Sequence, residues 1–284
     1  MNTKKKTLLL VQFSIMLAIE ALICFTPLGS VPLAPPLIVA TLGMIPVVIT
    51  AILLGTAAGS LMGFFAGLFS FIVWTFMPPS IMAFVFTPLA PPIGDVHGNG
   101  FSLLICFAPR ILVGTVTGAL CSVFSKMFKE EGKSRTLIYG LGAFVIAVSI
   151  TVVVFIIGYL IFGILLRMEV NSALVWALLI AITAALTAVF WYLLNNRISP
   201  GNAGDFVTFG VSALAGSMVN TILVLGGIYL LFGHSYAEVM DLSYDALIGI
   251  LAMIVITNGI PEAVLAAACA VCIGKALIKL RKMV

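Results

Sequence analysis

Charge is scarce in this chain. Asp, Glu, Lys and Arg make up 8% of its 284 residues, where soluble domains carry roughly a quarter. Histidine is scarcer still: His97 and His234 are the two present, and neither stands inside a long apolar run. A two-histidine metal site and a Ser–His nucleophile within a span are thereby excluded. A phosphate-binding loop is missing too. The "GKS" at 132–134 lacks the glycine required five residues before Gly132, where Met127 stands, so the chain does not hydrolyse ATP by itself. No small-x-small cleavage site follows the basic start and apolar run of residues 1–25. That segment reads as a first, retained membrane helix and not as a secretory signal. No inverted repeat of the kind that builds secondary carriers is evident.

Hydrophobic residues, in contrast, make up 62% of the chain. A water-soluble globule cannot hide that much apolar surface, so the expected fold is an all-α integral membrane protein. Eight stretches are apolar and long enough for spans, at about 8–27, 37–55, 57–77, 101–125, 136–166, 173–195, 205–233 and 246–278. The second and third are separated by "GTAAG" alone and are expected to form a tight hairpin or two short tilted helices.

Basic residues set the orientation. Lys4, Lys5, Lys6, Lys126, Lys129, Lys133, Arg135, Arg197, Lys275, Lys279, Arg281 and Lys282 fall in four clusters on one side of this topology, and Arg167 alone lies on the other. Positive loops stay inside, so both termini are expected in the cytoplasm and the protein in the cell membrane. The net charge of +4 is thus a topology signal and not evidence of nucleic-acid binding. Two outer connections, 26–36 and 77–100, are rich in Pro and Gly yet retain Phe, Met, Leu and Ile. Such loops are expected to fold back over the outer end of the bundle as a lid.

The informative residues are those whose placement in lipid costs free energy. Glu20, Arg110 and Glu262 are the ionisable groups well inside spans, and Asn220 and Asn258 add amides. Intramembrane polar groups of this kind mark functional sites by default. At 1.5 Å per residue, Glu20, Arg110, Asn220 and Asn258 lie roughly 10 to 20 Å below the outer surface, with Glu262 deeper. Two readings of Arg110 stand side by side: a structural ion pair with Glu20 or Glu262, or a guanidinium that holds the carboxylate or phosphate of a ligand. Pro109 and Pro261, adjacent to Arg110 and Glu262, free backbone carbonyls and bend their helices. Gly55, Gly59, Gly63 and Gly67 recur every fourth residue, a stripe suited to close helix packing. Ser14 and Ala18 make a shorter small-residue pair on the first helix. Cys269 and Cys272 form C-x-x-C without further ligands nearby and read as small packing residues. "EEGKSR" at 130–135 matches the pattern of an intramembrane prenyl-protein protease family, but in a Lys-rich loop it reads as solvated charge. No catalytic residue, metal or cofactor is expected.

With these residues in view, the chain resembles the substrate-binding S components of energy-coupling-factor (ECF) vitamin transporters. The resemblance rests on the segments beginning "IMLAIEALICFTPLGSVPLAPP" and "GTAAGSLMGFFAGLFS", with "FAPRILVGTVTGAL", "SMVNTILVLGGIYLLFG" and "ITNGIPEAVLAAA". It covers about 8–127 and 205–281. It implies one transmembrane domain built on a six-helix bundle; the chain departs from the family at 136–204, where two extra apolar spans are expected to add a two-helix hairpin, for about eight transmembrane helices in all. It also implies vitamin capture in a pocket near the outer face, a transmembrane T component and two cytoplasmic ATP-binding subunits as partners, and docking through the small-residue face of Ser14 and Ala18. "FTPLGSVPL", "PRILVG" and "NGIPE" lean toward pantothenate, whose carboxylate suits Arg110 and whose amide and hydroxyls suit Asn220 and Asn258. Riboflavin or another vitamin is the alternative substrate, with Trp74 placed to stack a flat ring. The alternative class is a self-sufficient proton-coupled secondary carrier using Glu20 or Glu262.

Overall fold

A computed structural model of the chain describes residues 3–26, 31–34, 38–40, 42–128, 139–140, 142–147, 151, 172–193, 196 and 200–283. The regular elements among the described residues are helices apart from one small two-stranded hairpin. The helices are α1 (Thr3–Cys24), α2 (Met44–Leu54), α3 (Thr56–Phe76), α4 (Gly100–Met127), α5 (Ser172–Tyr192), α6 (Pro200–Val239), α7 (Tyr244–Ile254) and α8 (Ile260–Met283). A π turn, Val255–Gly259, joins α7 to α8. Among the described residues five helical stretches are long and apolar enough to cross a membrane: Lys6–Cys24, Thr56–Phe76, Gly100–Met127, Gly204–Val239 and Tyr244–Gly274.

The expected span at 37–55 is corrected. Its first part forms strand β2 (Ile38–Ala40), which pairs antiparallel with β1 (Val31–Ala34). What remains is α2, an 11-residue helix about 16 Å long, half of what a bilayer core demands. Pro32 lies in β1 with no N–H to offer, so no helix is built through it, whereas Val31, Ile38 and Val39 favour extended backbone. Pro46 is tolerated inside α2 because it falls in the first turn, where N–H groups have no intrahelical partner.

Close approach of α3 to α4 organises the centre. A Cβ on Gly63 would run into the carbonyl of Arg110; one on Gly59 would meet Ala51 of α2 and the carbonyl of Gly114; one on Gly67 would press on Phe107. Glycines on the facing helix answer them, Gly114 against Gly59 and Gly118 against Thr56. The backbones therefore touch, and a hydroxyl pair, Ser60 with Thr115 at 2.7 Å, bridges the seam. Gly55 is not part of this stripe, contrary to its reading from spacing. It is the hinge between α2 and α3, at φ 92° with open space around its Cα, a conformation that favours glycine.

The loop at 77–99 is folded. A 3-10 turn, Ile81–Val85, is capped by Ser80, and Phe84 and Val85 are wholly buried with Phe232, Leu247 and Leu251. Asn99 and Ser102 cap the start of α4 reciprocally, and Ser102 Oγ donates to the Phe84 carbonyl at 2.6 Å. This end of the bundle is called the capped end below. Of the segment at 136–204, expected from sequence to be an added hairpin, α5, the start of α6 and helical residues at 139–140, 142–147 and 151 are described. Tyr139 and Ala143 are buried against Val207 of α6. The "EEGKSR" segment lies outside the described residues.

Candidate ligand-binding site

At the capped end, α1, α3, α4, α6 and the π turn surround a cavity of about 500 Å³, within the range of small-molecule sites. Glu20, Trp74, Arg110, Asn220, Asn258 and Glu262 all line it. The six residues assigned to a site from sequence alone thus converge laterally as well as in depth. The rest of the wall is largely apolar, with Phe25, Met44, Phe86, Val224, Leu225 and Ile254 among the lining side chains.

Arg110 is built by its own helix. Pro109 has no N–H, so the carbonyl four residues before it, that of Ile105, lacks its helical partner. The guanidinium Nη1 of Arg110 donates to that carbonyl at 2.9 Å. Nη2 donates to Ser70 Oγ of α3 at 3.3 Å, and the guanidinium carbon lies 5.4 Å from the centre of the Phe86 ring. Nε–H has no acceptor. These contacts answer the two readings of Arg110 in part: its Nη donors go to a carbonyl and a hydroxyl and not to Glu20. A cation held in this way, with one donor unmet, can offer that donor to an anionic oxygen.

Glu20 is wholly buried on the inner face of α1, the face that also carries Phe13, Met16 and Leu17 into the core. Its Oε1 accepts from the Cys24 thiol at 3.3 Å and lies 3.7 Å from where a Cβ on Gly43 would stand, at the start of α2. Its Oε2 has no hydrogen-bond partner. Asn220 Oδ1 is likewise unpartnered. Buried acceptors without donors are costly, so an occupant of this cavity gains by supplying hydroxyl or amide N–H groups.

The π turn presents Asn258. Pro261 cannot return an N–H to the chain before it, and the helix widens just upstream. Gly259 lets this turn sit against α6, since a Cβ there would meet Thr221. Strand β2 also packs on the turn. Trp74 stacks on Phe86 with ring centres 4.6 Å apart and planes 22° apart.

Other sequence candidates lie elsewhere. Ser14 and Ala18 are exposed on the outward face of α1, among exposed Val11, Ile15 and Ile19. His97 is exposed, with Nδ1 3.1 Å from the Asp95 carbonyl. Cys269 and Cys272 are free thiols, and among the described residues no cluster of metal-ligating side chains occurs. Ser70 and Phe86 are site residues that sequence reasoning missed. Pro109 beside Arg110 was the available signal for the Ile105 carbonyl, and nothing comparable flagged Phe86 within an apolar loop.

No protein-family model matches the chain. A curated relative, the pantothenic acid transporter PanT of Lactococcus lactis subsp. cremoris (strain MG1363), is 31% identical over 160 residues, which cover 56% of this chain and 76% of PanT.

Proposed function

The chain belongs to the family of the pantothenic acid transporter PanT, and on that premise we propose that it is the S component of an ECF-type importer that binds pantothenate in the cavity at the capped end. The observation that carries the reading is Arg110, buried in the cavity wall with Nε–H unmet and both Nη groups anchored. In this reading Arg110 holds the carboxylate, and Asn220 and Asn258 meet the amide and hydroxyls. Glu20 and Glu262 complete the polar lining, and the chain itself carries out no chemistry. In this reading the capped end faces outward and both termini lie in the cytoplasm, an orientation that the distribution of Lys and Arg supports. A T component docks on the face of α1 that bears Ser14 and Ala18, and two ATP-binding subunits supply the energy.

Riboflavin as the substrate draws less support, because Trp74 already spends a ring face on Phe86. A proton-coupled carrier draws its support from Glu20, a buried carboxyl with one oxygen unpartnered. Uptake of labelled pantothenate into vesicles separates the classes. An S component takes up pantothenate only when the T component and ATPases are co-reconstituted and ATP is supplied inside. Uptake by this chain alone, driven by an imposed proton gradient, overturns the S-component reading in favour of the carrier.

A further inference from the structure

Arginine has a long, mobile side chain, and an anion site gains from holding the guanidinium before the ligand arrives. Of the three groups that hold Arg110, the Ile105 carbonyl belongs to its own helix and Ser70 to the helix packed against it. The third, Phe86, comes from the loop. It caps the end of the 3-10 turn, and the chain is pinned on both sides of it. Before it, Phe84 is buried and its carbonyl accepts from Ser102. After it, Thr87 shares a hydrogen bond of 2.8 Å with Thr75 of α3. The ring itself stacks on Trp74.

We infer that Phe86 is the positioning residue of the anion site: its ring fixes the plane of the Arg110 guanidinium, so that carboxylate selectivity is set by the folded loop as well as by the membrane helices. The inference rests on the reading of Arg110 as the carboxylate-holding group. A guanidinium over an aromatic face is attracted to the ring's negative quadrupole. Held at that face and anchored through both Nη groups, the guanidinium has little freedom left. Leucine at 86 fills much of the same volume but has no quadrupole, whereas tyrosine retains it.

The test measures two ligands and one chemical label on the full-length protein. Pantothenate probes the carboxylate, and panthenol, with a hydroxymethyl group in its place, probes everything else. Phe86→Leu is expected to weaken pantothenate about tenfold and to leave panthenol within about twofold, with Phe86→Tyr close to the parent. Equal losses for both ligands would show that Phe86 only packs the wall and would overturn the inference, as would unchanged pantothenate binding. In ligand-free protein, phenylglyoxal modification of Arg110, followed by mass spectrometry, should be faster in Phe86→Leu than in the parent or Phe86→Tyr. Alkylation of Cys24, which lines the same cavity, should not change. Acceleration at both sites means that the loop has simply opened, and it overturns the inference; so does no acceleration at Arg110. If the parent binds neither ligand, the pantothenate reading fails, and the labelling pair alone decides whether Phe86 positions the guanidinium.

Discussion

Proline and arginine at 109 and 110 act as one unit. The ring of Pro109 removes the N–H that would close the helix onto Ile105, and the neighbouring side chain fills the vacancy at 2.9 Å. Pro109→Ala supplies that N–H and sets it in competition with Arg110 Nη1. The expected result is weaker pantothenate binding, by roughly threefold to tenfold, with no fall in the thermal midpoint, since an interior proline costs about 3 kcal/mol relative to alanine. Thermal melts and a binding titration on the same preparation check both halves. Unchanged affinity would mean that the freed carbonyl does not hold the guanidinium. At this scale the sequence was legible where burial is expensive. Glu20, Arg110, Asn220, Asn258 and Glu262 betrayed themselves as polar groups in lipid-length apolar runs. Phe86 and Ser70 did not, because a phenylalanine in an apolar loop and a serine in a membrane helix break no rule.

Helices were legible by length, and their boundaries were not. The stretch at 205–233 extends to Pro200–Val239, because helical backbone continues past the apolar run through His234, Tyr236 and Glu238. The stretch at 37–55 hid strand β2 at its start, since apolar content does not distinguish strand from helix. Glycine spacing foretold a close helix contact without naming the partner, which is α4. Gly63→Ala drives a methyl group into the Arg110 carbonyl, and the two helices must separate. Overpacking of this kind costs about 1–3 kcal/mol. The thermal midpoint should fall, and pantothenate binding should weaken with it because Arg110 moves. Gly226→Ala, where nothing stands within 4 Å of the new methyl, is the matched control. It should hold or slightly raise the midpoint, as a helical glycine costs about 0.5–1 kcal/mol relative to alanine. Equal midpoints for the two variants would contradict the packing account.

For the molecule as a whole, the family resemblance read from the sequence is borne out by the PanT relative, and the all-α membrane fold by five helices of spanning length among the described residues. Every described residue lining the cavity falls between 20 and 110 or between 220 and 262. Lateral convergence was the part that sequence could not supply. Rise per residue gives depth along each helix, but which faces meet depends on the contacts of Gly63 with Arg110 and of Gly259 with Thr221, and these are tertiary.

The central claim is that this cavity holds a carboxylate on Arg110. It is tested most directly by equilibrium binding of pantothenate to the purified chain alone, parent against Arg110→Gln, with panthenol as the uncharged comparison. Loss of a charge-assisted contact of about 2 kcal/mol predicts roughly thirtyfold weaker pantothenate binding in the variant, with panthenol binding the same in both proteins. Pantothenate binding of equal strength in the parent and in Arg110→Gln would contradict the account.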